Sequence, residues 1–124
     1  MVGVIALASD RLSVSAPGRL CLFGEHQDFL GLPVIALAMT REITFSGARR
    51  QDAQFDIDLP DVWDHDCFDP CEELPYRNRR DYLRSATNVL RRAGLPMGVG
   101  YDIVVRGNIP INSGCGSSSS MIVS

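Results

Sequence analysis

Between Gly107 and Ser120 the chain gives up nearly all its large side chains. The run GNIPINSGCGSSSS leads straight from an alternating strand pattern, Val99 to Arg106, into the apolar Met121-Ile122-Val123. A strand that must turn through glycines and then enter an apolar segment has few ways to fold. Gly114 and Gly116 let backbone approach a ligand closely, and the serines that follow stand where a helix N-terminus would present free N–H groups. Amides oriented in this way favour phosphate, and the hydroxyls of Ser117, Ser118 and Ser119 add donors or a magnesium ligand. The same composition also describes a flexible Gly/Ser linker, but the run lies directly between a strand pattern and an apolar start.

Charge narrows the chemistry. All 12 basic residues are arginine and lysine is absent, which excludes a Walker A loop, a protein kinase's phosphate-pairing lysine and a pyridoxal phosphate Schiff base. Charge compensation at a phosphate must come from arginine or metal. The net charge of −3, with nine of the 15 carboxylates between Asp52 and Glu73, lacks the basic face that nucleic acid asks for. The opening MVGVIALASDRL has no basic n-region and falls well short of the roughly 18 apolar residues of a membrane span. The expectation is a cytoplasmic protein without a membrane partner, its Cys21, Cys67, Cys71 and Cys115 reduced. His65, Cys67 and Cys71 lack a fourth ligand at zinc spacing unless a nearby aspartate serves.

At 124 residues the chain is one domain at most. Leu12 to Gly24 reads as two short strands broken at Ala16-Pro17-Gly18. A strand pattern follows from Leu32 to Phe45, in which Ala36 to Met39 fits a helical turn equally well. Gln54 to Leu59 alternates as an edge strand. Asp61 to Pro75 fits no period and reads as a loop. Tyr82, Leu83, Ala86, Val89, Leu90 and Ala93 recur at helical steps with Arg84, Arg91 and Arg92 outward. Asn78 or Asp81 caps that helix, and Gly94 and Pro96 end it. A further helix starts at Met121.

A second loop, APGRLCLFGEHQDFLG from Ala16 to Gly31, gathers Arg19, Glu25, His26 and Asp28 at a strand end. Read from the residues alone, it is either a solvated turn in which Asp28 caps a short helix, or a polyol grip. In the grip the carboxylates accept from sugar hydroxyls, His26 fixes one of them and Arg19 stabilises charge.

Taken in order, APGRLCLFGEHQDFLG and IPINSGCGSSSS resemble the first two motifs of the superfamily of small-molecule kinases named after galactokinase, homoserine kinase, mevalonate kinase and phosphomevalonate kinase. The resemblance implies an α+β fold like domain 2 of ribosomal protein S5, with residues 1–124 forming an incomplete N-terminal kinase domain. GEHQDFLG is similar to the galactokinase pattern, whereas mevalonate kinases typically lack the aspartate at Asp28. Cys21, Gln27, Phe29 and Leu30 depart from the usual asparagine, threonine, tyrosine and asparagine. GCGSS looks more like the mevalonate kinase GLGSS than the galactokinase GLSSS. The first motif touches the acceptor and carries more weight.

The resemblance implies transfer of the ATP γ-phosphoryl group to a sugar hydroxyl, the anomeric one expected. Arg19 would be catalytic and would also contact substrate, beside Glu25, His26 and Asp28. Gly114, Cys115, Gly116, Ser117, Ser118 and Ser119 would line the triphosphate, with Ser117 or Ser118 as Mg2+ ligand. The family's aspartate base lies downstream of the second motif, and no carboxylate follows Asp102, so the 124 residues alone are expected to be inactive and a longer parent protein is expected to be the kinase. The alternatives are a mevalonate-type kinase and a non-catalytic sugar and ATP sensor.

Overall fold

The computed structural model describes residues 3–7, 10–110 and 113–124, with backbone alone for 3–7 and for Asp28. Six strands form one sheet: β1 (Gly3–Leu7), β2 (Arg11–Phe23), β3 (Ile35–Arg49), β4 (Phe55–Leu59), β5 (Asp64–Phe68) and β6 (Tyr101–Gly107), in the spatial order β1-β2-β3-β6-β4-β5. All neighbours are antiparallel except β4 and β6, which run parallel. The helices α1 (Tyr82–Arg92) and α2 (Ser117–Val123) pack on each other, and α2 lies on β2 and β3. No helix among the described residues is long and apolar enough to cross a membrane.

The core follows from the strands' period of two. Ile57, Leu59, Phe68, Leu74 and Val105 are buried, and Ile43, Phe45, Phe55 and Ile103 pack against them from the sheet. Leu83 of α1 and Met121 of α2 close the core from the helix side. Position 66 of β5 also faces inward, but it is an aspartate, 7% exposed. Its charge is met by Arg84, whose Nε and Nη2 donate to the two carboxylate oxygens at 2.9 and 2.8 Å. Arg77 adds an ion pair at 3.1 Å. Burial pushes the Asp66 carboxyl up, but hydrogen bonds from Arg84 and the charges of Arg84 and Arg77 outweigh it and hold the group below the usual carboxylate range.

Several sequence expectations change. Arg84 points inward, not outward, because it answers Asp66. β2 is continuous through Pro17, which stands opposite Glu42; Glu42 turns its N–H and carbonyl to Asn108 on the other side, so the missing N–H of Pro17 costs that pairing nothing. Ala36 to Met39 is strand, held opposite Leu20 and Cys21. β4 is interior, because the stretch expected to be loop supplies β5 as the sheet's edge. The last helix begins at Ser117, four residues before Met121. Asp81 caps α1 as expected, accepting from Arg84 N at 3.3 Å.

Asp66→Asn should cost about 3 kcal/mol at pH 7, since it leaves Arg84 half-buried without its charge partner. A depressed carboxylate stabilises the fold above its unfolded pKa, near about 4, and that contribution is lost as pH falls through the lower folded value. Urea melts should therefore show the gap between the two proteins closing below about pH 4. A gap that stays constant down to pH 2.5 would show that the carboxylate's charge contributes nothing.

Candidate functional site

The segment that follows β6 folds back onto β2. Arg19 N donates to Cys115 O at 2.9 Å, and the buried Ser120 hydroxyl donates to Ala16 O. The approach at Gly18 is so close that a Cβ there would stand 2.9 Å from the Cys115 carbonyl oxygen. Gly116 caps α2 in the left-handed region, at φ 71°, a conformation that costs a side-chain-bearing residue roughly 1 kcal/mol or more. Ser120 N is bonded to Gly116 O at 2.9 Å. The amides of Ser117, Ser118 and Ser119, one turn earlier, are the helix's orphan donors.

These contacts open a cavity of about 590 Å³, within the usual range for a small-molecule site. Arg19, Gly114, Gly116, Ser117, Ser118 and Ser119 line it. Its apolar wall comes from Ile43, Leu59, Val62, Val105 and Ile109. Cys115 is outside the lining; its carbonyl serves Arg19 and its thiol is 3.7 Å from Ser113 O. Glu25 stands at the rim, with Oε1 4.0 Å from where a Cβ on Gly114 would lie. His26 sits beyond it in an exposed turn at φ 66°, a strained conformation for a non-glycine residue. The side chain of Asp28 is outside the described residues.

Arg19 makes no ion pair with a described residue, so its guanidinium is available to a ligand. Sequence reasoning missed Asp61, Val62, Arg80 and Tyr82, which also line the cavity. Asp61, Val62 and Arg80 come from the acidic run and the approach to α1, where no motif or period marks them; Tyr82 opens α1, and its period marks it only as a helix position. Asp61 is committed internally: Gly107 N donates to its Oδ2 at 2.8 Å, and Arg106 approaches its Oδ1 at 3.6 Å. The His65, Cys67 and Cys71 segment lies on and just after β5, with His65 Nε2 2.6 Å from Asp56 Oδ1.

Two family models match the chain at the two segments that meet here. The galactokinase galactose-binding signature covers residues 7–49, and the N-terminal domain of GHMP kinases covers residues 81–124. A galactokinase from Mannheimia succiniciproducens is 32% identical over 93% of this chain, and one from Streptococcus thermophilus is 34% identical over 86%. The chain spans about a third of the length of such relatives: 31% and 28% of these two. Among solved structures, Lactococcus lactis galactokinase complexed with galactose superposes with a TM-score of 0.78 at 26% identity, over 93% of this chain and 31% of that one. Methanococcus jannaschii mevalonate kinase, at 24% identity, shares the fold with a TM-score of 0.76 over 94% of this chain and 38% of its own. With both signatures in their family order and the fold shared along nearly its whole length, the chain matches the N-terminal part of the GHMP kinase superfamily, with a galactokinase-type first motif.

Proposed function

We propose that this chain forms the nucleotide wall and part of the sugar wall of an ATP-dependent sugar kinase of the galactokinase type. The observation that carries the reading is the Arg19 N to Cys115 O bond of 2.9 Å. It ties the strand bearing the sugar-binding signature to the glycine-serine turn, so that acceptor and nucleotide phosphates lie side by side around one guanidinium. The polyphosphate runs along Gly114, Gly116 and the amides of Ser117 to Ser119, and the base rests on the apolar wall near Leu59 and Val62. Glu25, His26 and Asp28 hold the sugar.

In the reaction, the anomeric hydroxyl oxygen bonds to the γ-phosphorus as the bridging bond to the β-phosphate breaks, ADP leaves, and the hydroxyl proton passes to a base that the longer kinase supplies. Arg19 neutralises charge on the transferring group, which is the main work of a protein in phosphoryl transfer. The hydroxyls of Ser117 and Ser118 suit a Mg2+ carried on the phosphates, since that ion keeps most of its water and needs few protein ligands. Such an ion supplies charge neutralisation at the β- and γ-oxygens. Asp61, the one carboxylate among the described residues lining the cavity, is bonded to Gly107 N and paired with Arg106.

Trp63, the sole tryptophan, is 96% exposed and adjoins the cavity residue Val62, so its fluorescence can report nucleotide. Titration of the chain with ATP and with galactose should show saturable binding of each. Sugar-dependent ADP release should appear with the longer kinase and be absent with these 124 residues alone. Gly116 within GCGSS favours a second reading, a mevalonate-type kinase. Phosphorylation of mevalonate but of no hexose would establish that reading and reject the sugar assignment.

A further inference from the structure

We propose that Arg80, reaching the cavity from the approach to α1, is a second cation of the nucleotide phosphate site; this rests on the nucleotide reading of that cavity. Of the chain's 12 arginines, only Arg19 and Arg80 line the cavity. They come from different elements, Arg19 from β2 and Arg80 from the loop before α1. A nucleotide polyphosphate carries several negative charges, and a chain without lysine can answer them only with arginine, metal and backbone amides.

Arg80 is available for this work because its neighbours are satisfied without it. Its backbone is engaged, N donating to Asn78 Oδ1 at 2.9 Å and O accepting from Tyr82 N at 3.0 Å, which fixes where the side chain departs. Its guanidinium pairs with no carboxylate among the described residues. The nearby acids are taken: Asp66 by Arg84 and Arg77, Asp64 by Arg77, and Asp61 by Arg106 and Gly107 N. A smaller cavity of about 90 Å³ also meets Arg80, and its acids are Asp64, Asp66 and Asp81; the first two are the paired ones above, and Asp81 accepts from Arg77 N and Arg84 N as the cap of α1. Arg80 is exposed, and of the two cavities it meets the larger is the one where a bound anion would find it, beside the hydroxyls of Ser117 to Ser119.

The test separates phosphate contact from base contact. Affinities of the intact chain for ATP, ADP and adenosine are measured by calorimetry at two salt concentrations, for the natural protein, Arg80→Gln, Arg80→Lys and Arg79→Gln. The last is an exposed neighbour outside the cavity. Loss of one charge-assisted contact predicts about tenfold weaker ATP and ADP binding in Arg80→Gln, adenosine within about twofold, and a shallower salt dependence. Arg80→Lys keeps most of the affinity and Arg79→Gln all of it. Equal losses for ATP and adenosine, no loss for ATP, or equal losses in the Gln and Lys variants would each overturn the assignment while leaving the nucleotide reading intact. A natural chain that binds no ATP would overturn both.

Discussion

Arg19→Gln in the proposed sugar kinase should lower kcat for sugar phosphorylation by about a thousandfold or more, the usual consequence of removing a guanidinium that neutralises a transferring phosphoryl group. The fold should survive, because the bond that ties β2 to the glycine-serine turn uses the backbone N–H of residue 19 and the side chain is exposed. The measurement is sugar-dependent ADP release, with KM for each substrate determined separately. A group that acts in the transition state loses kcat, whereas one that merely holds sugar loses KM. A raised sugar KM with kcat preserved would move Arg19 from the transferring phosphoryl to the sugar pocket.

The largest effect on stability should come from a residue far from the cavity. Gly100 leads into β6, and its amide donates to Asp52 O at 2.9 Å while its carbonyl accepts from Arg50 N at 2.9 Å. A Cβ there would stand 2.4 Å from Asp52 O and 2.5 Å from Gln54 O, which are backbone atoms that cannot swing aside. Gly100→Ala must push the 52–54 turn off the start of β6 and strain these bonds, at a cost of about 4 kcal/mol. For a chain of this size, that is a fall in Tm of more than about 10 °C. A fall under about 3 °C would mean that the turn yields cheaply.

What the sequence revealed and what it hid have a common cause. Strands with a clean period of two, such as Phe55 to Leu59, and the helix from Tyr82 announce themselves because each carries its own pattern. β5 does not, since Asp66 puts a carboxylate at a core position. Arg84 and Arg77, well downstream of it in the chain, make that tolerable, and a local window cannot see such partners. Arg84 was misjudged for the same reason. Pro17 reads as a break because the sequence does not disclose that its partner Glu42 turns both backbone groups to Asn108 and needs no N–H from residue 17. At the site, the glycine-serine turn and Arg19 were visible because they sit in motifs. Asp61 and Arg80 arrive from segments whose only distinction is where the fold delivers them.

The place of β6 in the sheet order also sets a timetable. β1 to β3 form a meander of local pairings, and β4 and β5 a hairpin, but nothing joins the two until residues 101–107 slide between β3 and β4. During synthesis both groups emerge first, each with a raw margin of unsatisfied amides and carbonyls. Such margins are where a nascent chain sticks to its neighbours. Closure is a late, long-range event of the kind that slows folding. Translation pausing before residue 107 would prolong that exposure, and chaperone capture in the cell should rise with the length of the pause.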